Sequence, residues 1–241
     1  MTETGILAYL AANRYAGRGI LIGLSDDSSQ AIIGYFLMGR SVNSRNRIIV
    51  EQGNGLLTRA WDEKLMQDPS LIIYAPLRVE GRHTVVSNGD QTDTIVRYLR
   101  EGGSFAAALR SRVYEPDAPH FTPRISAVAT VHQGNFYYRL SVIKRTGPEE
   151  PACLRQFFEY EPTPGIGHLL HTYMGDDEPL PSFSGEPVAV RLRGEVDIGS
   201  LAGGLWQALD ADNRVSLALR YISLADGSQT TMIINRHGQG E

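Results

Sequence analysis

The sequence predicts an α+β fold, with strands and helices gathered in blocks instead of alternating one to one. Three observations lead there. β-rich runs follow one another from Gly17 to Gln52 and again from Arg124 to Tyr160. Between those blocks, from Thr92 to Val113, helical spacing takes over. Finally, 241 residues with 42% hydrophobic content supply a core of useful size without staples, and a single cysteine cannot close an intramolecular disulfide.

Each element has its own signal. Two apolar runs between Gly17 and Gly39 flank the polar turn Ser25-Asp-Asp-Ser-Ser29 and predict a hairpin. Arg47–Gln52, Ser70–Tyr74 and Thr84–Ser87 read as further strands. In Thr92–Glu101, Ile95, Val96 and Leu99 share one side of a helix, with Asp90 or Thr92 as N-cap and Gly102 as the stop. Ser104 is placed to cap a second helix, Phe105–Val113. Strands are expected again at Arg124–His132, Asn135–Ile143 and Cys153–Tyr160. The stretch 161–187, rich in proline and glycine, is too irregular for a core element and reads as a functional loop or excursion within a single domain of 1–241. Val188–Leu192 is a strand, Ser200–Ala208 a helix, and Val215–Ser223 with Thr230–Asn235 a closing hairpin around Ala225-Asp226-Gly227.

Composition excludes several classes. No apolar run reaches about 18 residues, so no membrane span is expected. Met-Thr-Glu-Thr-Gly5 carries no basic region, so no signal peptide is expected and the cytoplasm is the expected compartment. A net charge of −4 argues against nucleic acid as a partner, which needs a basic face. A few arginines still suffice for a small anionic ligand. Loss of Met1 would expose Thr2 as an N-terminal nucleophile, but the first expected strand begins only near Gly17, so Thr2 reads as part of a flexible lead-in.

Four segments carry candidate chemistry. Gly39-Arg-Ser-Val-Asn-Ser-Arg-Asn-Arg47 sets three arginines among Ser and Asn after an apolar strand. Guanidinium groups present planar paired donors suited to phosphate and carboxylate, although a solvated loop has the same composition. Ser87-Asn-Gly-Asp-Gln-Thr-Asp-Thr94 lies where a strand meets a helix, positioned to receive an anion or simply to cap the helix. It lacks the Gly-Lys-Ser/Thr element of a phosphate-binding loop. Tyr114-Glu-Pro-Asp-Ala-Pro-His-Phe-Thr-Pro-Arg124 holds Glu115, Asp117, His120 and Arg124 in a proline-stiffened loop. There Glu115 is a candidate general base, with a structural Glu115–Arg124 salt bridge as the alternative. His168 and His171, close to Asp176 and Asp177, have no third ligand at metal-site spacing, so no metal is expected.

With these segments in order, the chain resembles the archaeal-type IMP cyclohydrolase family, especially its longer bacterial branch. The resemblance rests on Tyr35–Arg47, Ser87–Ile95 and Tyr114–Ile125 and covers roughly residues 15–145. The stretches Gly165–Asp176 and Asp212–Leu217 look like the longer branch.

What the resemblance implies is an N-terminal-nucleophile-hydrolase-like four-layer αββα sandwich of two stacked, mostly antiparallel sheets. The implied reaction is dehydrative closure of 5-formamidoimidazole-4-carboxamide ribotide (FAICAR) to IMP, without metal or organic cofactor. A purine-nucleotide-binding protein or an amide hydrolase on the same fold is the alternative, and a homo-oligomer is compatible with either. Matched position by position, the family's catalytic arginine, tyrosine and glutamate fall on Arg45, Tyr74 and Glu115. Glu115 is then expected to move protons or orient the carboxamide, and Arg45 and Tyr74 to stabilise the oxyanion. Arg40, Ser41, Asn88, Asp90, Thr92 and Arg124 are expected to hold ribose, phosphate and base.

Overall fold

A computed structural model describes residues 4–66, 68–147, 150–192 and 197–238. The chain opens with β1 (Thr4–Gly5) and α1 (Ile6–Ala11), followed by the hairpin β2 (Arg18–Leu24) and β3 (Gln30–Met38). After α2 (Val42–Arg45) come β4 (Arg47–Gln52), β5 (Gly55–Ala60), β6 (Leu77–Glu80) and β7 (His83–Ser87). The helices α3 (Gln91–Arg100) and α4 (Phe105–Arg110) precede β8 (Arg124–His132), β9 (Asn135–Arg145) and β10 (Cys153–Tyr160). The remainder is β11 (Ile166–His171), β12 (Val188–Arg191), α5 (Ile198–Ala208), β13 (Arg214–Ser223) and β14 (Gln229–Asn235).

The described strands form two seven-stranded sheets, ordered β1-β12-β11-β2-β3-β13-β14 and β10-β9-β8-β7-β6-β5-β4. All pairings are antiparallel except β1 with β12. Side-chain alternation explains how the sheets stack. On β2, Ile20, Ile22 and Leu24 point into a core shared with Ile125, Ala127, Leu140 and Val142 of the second sheet. Leu21 and, on β3, Ile32 and Phe36 face the other way, onto Ile6 and Leu10 of α1 and Leu201 and Leu205 of α5. In the second sheet, Val85, Val128 and Ile143 turn outward beneath Ile95 of α3 and Phe105 and Leu109 of α4. Each fully buried aliphatic side chain in these layers contributes about 1.5–3 kcal/mol.

Several expectations change. Ser70–Tyr74 is not a strand: the Pro69 carbonyl accepts from the backbone N–H groups of both Ile72 and Ile73, which closes a turn. The Thr58 hydroxyl then donates to the Ile72 and Tyr74 carbonyls, fastening that turn to β5. Within 161–187, Ile166–His171 is a core strand between β2 and β12 with Leu169 and Leu170 fully buried. The lead-in carries α1, with Ile6 and Leu10 buried, while Thr2 lies outside the described residues. Asp90 occupies the N-cap position of α3 but makes no side-chain capping bond, and α4 ends at Arg110. Ser104 does cap α4, accepting from the Ala107 N–H at 3.2 Å.

Candidate active site

A cavity of about 390 Å³ opens where β2, the arginine loop and the proline-stiffened loop meet. Arg18 reaches it from β2, Arg47 from the first position of β4, Glu115 and Asp117 from the loop ahead of β8, and Tyr173 from two residues past the end of β11. Glu115 is buried, and Oε2 lies 3.4 Å from Nη2 of the nearly buried Arg18. Its backbone N–H donates to the Thr122 carbonyl at 3.1 Å, which fixes the loop that carries it. Asp117 locks the same loop from within, accepting from the Thr122 N–H at 2.7 Å and from the Thr122 hydroxyl. That hydroxyl also bonds the phenol of Tyr173.

The electrostatics follow from burial. Loss of solvent pushes the Glu115 carboxyl up to about 7, against the attraction of Arg18 and Arg124. Burial works against the charge on Arg18, but Glu115 and the phenols of Tyr74, Tyr173 and Tyr35 outweigh it and hold the guanidinium protonated. Arg47 is fully buried, and burial lowers its pKa. Its Nε donates to the Ser44 carbonyl at 2.8 Å, while Nη1, like Nε of Arg18, is buried without a hydrogen-bond partner. Unspent donors on buried cations are costly unless a ligand takes them. At the mouth, Arg40 lies over the Tyr15 ring at 5.1 Å and donates to Glu178 Oε2 at 3.2 Å and to the Asp176 carbonyl at 3.3 Å.

This arrangement can hold an anionic ligand and shuttle a proton beside two fixed positive charges. The IMP cyclohydrolase-like protein family model matches residues 15–228. The chain belongs to that family. Three archaeal relatives are each named IMP cyclohydrolase. The protein of Methanopyrus kandleri is 30% identical over 171 residues, covering 70% of this chain and 79% of the relative. That of Methanothrix thermoacetophila is 31% identical over 120 residues, and that of Methanocella arvoryzae 33% over 123. Those two matches cover 48% and 49% of this chain and only 58% and 59% of the relatives' own length.

Of the residues singled out from the sequence of this family member, Glu115, Arg40 and Ser41 line the cavity. Tyr74 is buried in the core between the sheets, its hydroxyl 2.6 Å from that of Tyr35. Arg45 is outside the lining. Its Nε donates to the Gly39 carbonyl at 2.9 Å and its Nη2 to Asn213 Oδ1 at 3.1 Å, so it braces the loop it belongs to.

The other four form a polar cluster beside the Glu115 loop. Asn88 accepts from the Ile125 N–H and from Gln91 Nε2, and donates to the Pro123 carbonyl. Thr92 bonds the Ser87 hydroxyl and donates to the Gly89 carbonyl. Arg124 donates to the Val113 carbonyl at 2.9 Å, to Asp90 Oδ1 at 2.8 Å and to Gln91 Oε1 at 2.7 Å. Burial works to raise the Asp90 carboxyl, but Arg112 and Arg124 outweigh it and hold it below its ordinary value. The salt bridge considered between Glu115 and Arg124 is therefore two bridges, Glu115–Arg18 and Asp90–Arg124.

His168 and His171 sit three apart on β11, so they face opposite sides of the strand. His168 stacks on Tyr160 at 3.6 Å and bonds the Tyr138 hydroxyl, whereas His171 bonds Tyr9 and the Tyr173 carbonyl. No cluster of potential metal ligands occurs among the described residues, and none of the described helices is long and apolar enough to cross a membrane. Sequence reasoning missed Arg18 and Tyr173. The one available signal for Arg18 was a charge between two glycines at the head of an apolar strand.

Proposed function

We propose that this protein closes FAICAR to IMP, on a four-layer αββα domain of N-terminal-nucleophile-hydrolase type acting in the cytoplasm. Membership of the IMP cyclohydrolase-like family supports the reaction, and the helices packed outside both sheets support the architecture. The observation that carries the chemistry is Glu115, buried at the cavity wall beside Arg18, with Arg47 in the same lining.

In this reading the carboxamide nitrogen attacks the formyl carbon and gives up a proton, while the formyl oxygen becomes an oxyanion and then a hydroxyl. The formamide nitrogen next loses its proton as the C=N bond forms, and the hydroxyl leaves as water. A carboxyl with a pKa of about 7 is populated in both forms near neutrality, so Glu115 serves as base in the first half and acid in the second. Arg18 and Arg47, with buried unspent N–H groups, face the oxyanion. Arg40 and Ser41 hold the phosphate end at the mouth. Tyr74, Asn88, Asp90, Thr92, Arg124 and Arg45 support the walls. The cavity's main contribution is to hold both arms of one molecule in attack geometry.

Purified protein supplied with FAICAR should produce IMP, followed by ultraviolet absorbance, with and without a chelator. IMP binding without turnover would make the protein a nucleotide-binding module. Formate release without IMP would make it an amide hydrolase.

A further inference from the structure

A second cavity, of about 380 Å³, lies back to back with the first. His120 and Leu180 line both. Its remaining wall comes from Pro119 and Phe121, from the end of β9 at Lys144 and Arg145, and from Pro181 and Ser184 beyond Leu180. None of the described lining residues is acidic.

The two cations are under-used. Arg145 lies over the Phe121 ring at 4.6 Å, its Nε is buried without a hydrogen-bond partner, and it makes no ion pair among the described residues. Lys144 gives one N–H to the Phe183 carbonyl at 2.5 Å and makes no ion pair among the described residues. Burial lowers the pKa of Lys144, a cost that an incoming anion relieves. The Phe121 floor is firmly built. Its backbone is left-handed, with φ of 43°, its N–H donates to the Asp117 carbonyl at 3.1 Å, and its ring meets Tyr114 edge-on at 5.7 Å. Two unspent cations beside an aromatic and proline wall match a small molecule with an anionic head and a flat body.

We propose that this cavity is a second binding site, separate from the FAICAR site, for a small organic phosphate monoester whose phosphate sits on Lys144 and Arg145 and whose ring lies against Phe121 and Pro181. The proposal stands on this cavity's own lining and does not require the reaction proposed above.

The test is calorimetric titration of phenyl phosphate into the full chain, with and without saturating IMP. One equivalent should bind in the presence of IMP, more weakly at high salt. Arg145→Ala should weaken that binding at least tenfold while leaving IMP affinity and FAICAR turnover unchanged. Lys144→Gln, which keeps most of the side-chain volume, should do the same. Competition by IMP, or unaltered affinity in both variants with wild-type melting temperatures, would overturn the second site. A protein that neither binds IMP nor turns over FAICAR, yet loses phenyl phosphate in Arg145→Ala, would overturn the proposed reaction and leave this site standing.

Discussion

Glu115 Oε2 and Arg18 Nη2 lie 3.4 Å apart, yet the carboxyl titrates near 7. An ion pair at that distance ordinarily depresses a carboxylate. Here loss of solvent outweighs the attraction, because a single long contact replaces a full hydration shell. The bridge is thus a loose one, and its carboxyl is present in both protonation states near neutrality.

Glu115→Gln should lower kcat by about 10²–10⁴-fold with a smaller change in KM, since Gln keeps the shape and loses the proton. The wild-type pH–rate profile should show a limb near 7 that is absent in the variant. Near-wild-type kcat would assign Glu115 to structure alone.

Arg18→Gln should cost about 10²–10³-fold in kcat if this cation faces the oxyanion. It should also move the limb near 7 upward, because Arg18 is the largest influence that lowers the Glu115 pKa. A limb that stays in place with unchanged kcat would show that the two groups do not share a task.

The same pKa has a thermal consequence. A folded value near 7 against about 4.5 unfolded gives a stability contribution that is complete below 4.5 and is lost as pH rises through 7. His168 and His171 run the other way: burial lowers both to about 4, so their contribution is present above about 6.5 and is lost as pH falls through 4. The melting temperature of Glu115→Gln minus that of wild type should therefore rise between pH 5 and 8. A difference that stays constant with pH would refute the raised carboxyl.

Arg45→Lys should act through the loop. Lysine cannot reproduce both the bond to the Gly39 carbonyl and the bond to Asn213, so stability should fall by about 1–3 kcal/mol. KM should rise more than kcat falls, as the loop carrying Arg40 and Ser41 loosens. A large kcat defect with an unchanged melt would instead place Arg45 at the reacting atoms.

Glu178→Gln should release Arg40 at the mouth and tighten IMP binding, by no more than about fivefold, because this exposed pair is worth at most about 1 kcal/mol. The gain should shrink at high salt. Weaker IMP binding in this variant would show that Glu178 helps hold the ligand.

The β2–β3 hairpin, α3 and the β13–β14 hairpin were legible because alternation and helical spacing are local properties of the chain. The strand Ile166–His171 was hidden by glycines whose purpose is long-range. A Cβ on Gly23 would come within 2.5 Å of the Gly167 Cα, so these glycines let β2 and β11 approach each other. Ser70–Tyr74 failed for the opposite reason: an apolar run with strand character is bent by Pro69 and held by Thr58. In the site, Glu115 and Arg40 stood out in dense polar segments, whereas Arg18 is a lone charge at the head of an apolar strand and Tyr173 lies just past β11, in a segment that draws attention to its histidines. Their partners come from other parts of the chain, and only folding brings them to one wall.

Asn213 receives Arg45, gives its carbonyl to the Gly39 N–H at 2.8 Å and donates to the Arg14 carbonyl at 3.3 Å. Through its side chain and its backbone carbonyl it therefore ties two other stretches of the chain, Arg14 and the 39–45 loop, to the start of β13. A hybrid of two relatives joined anywhere between residues 46 and 212 would inherit its arginine loop from one parent and the anchor of that loop from the other. Such hybrids should be defective unless both parents carry the same Arg–Asn pairing, and a one-residue exchange restoring that pairing should repair them.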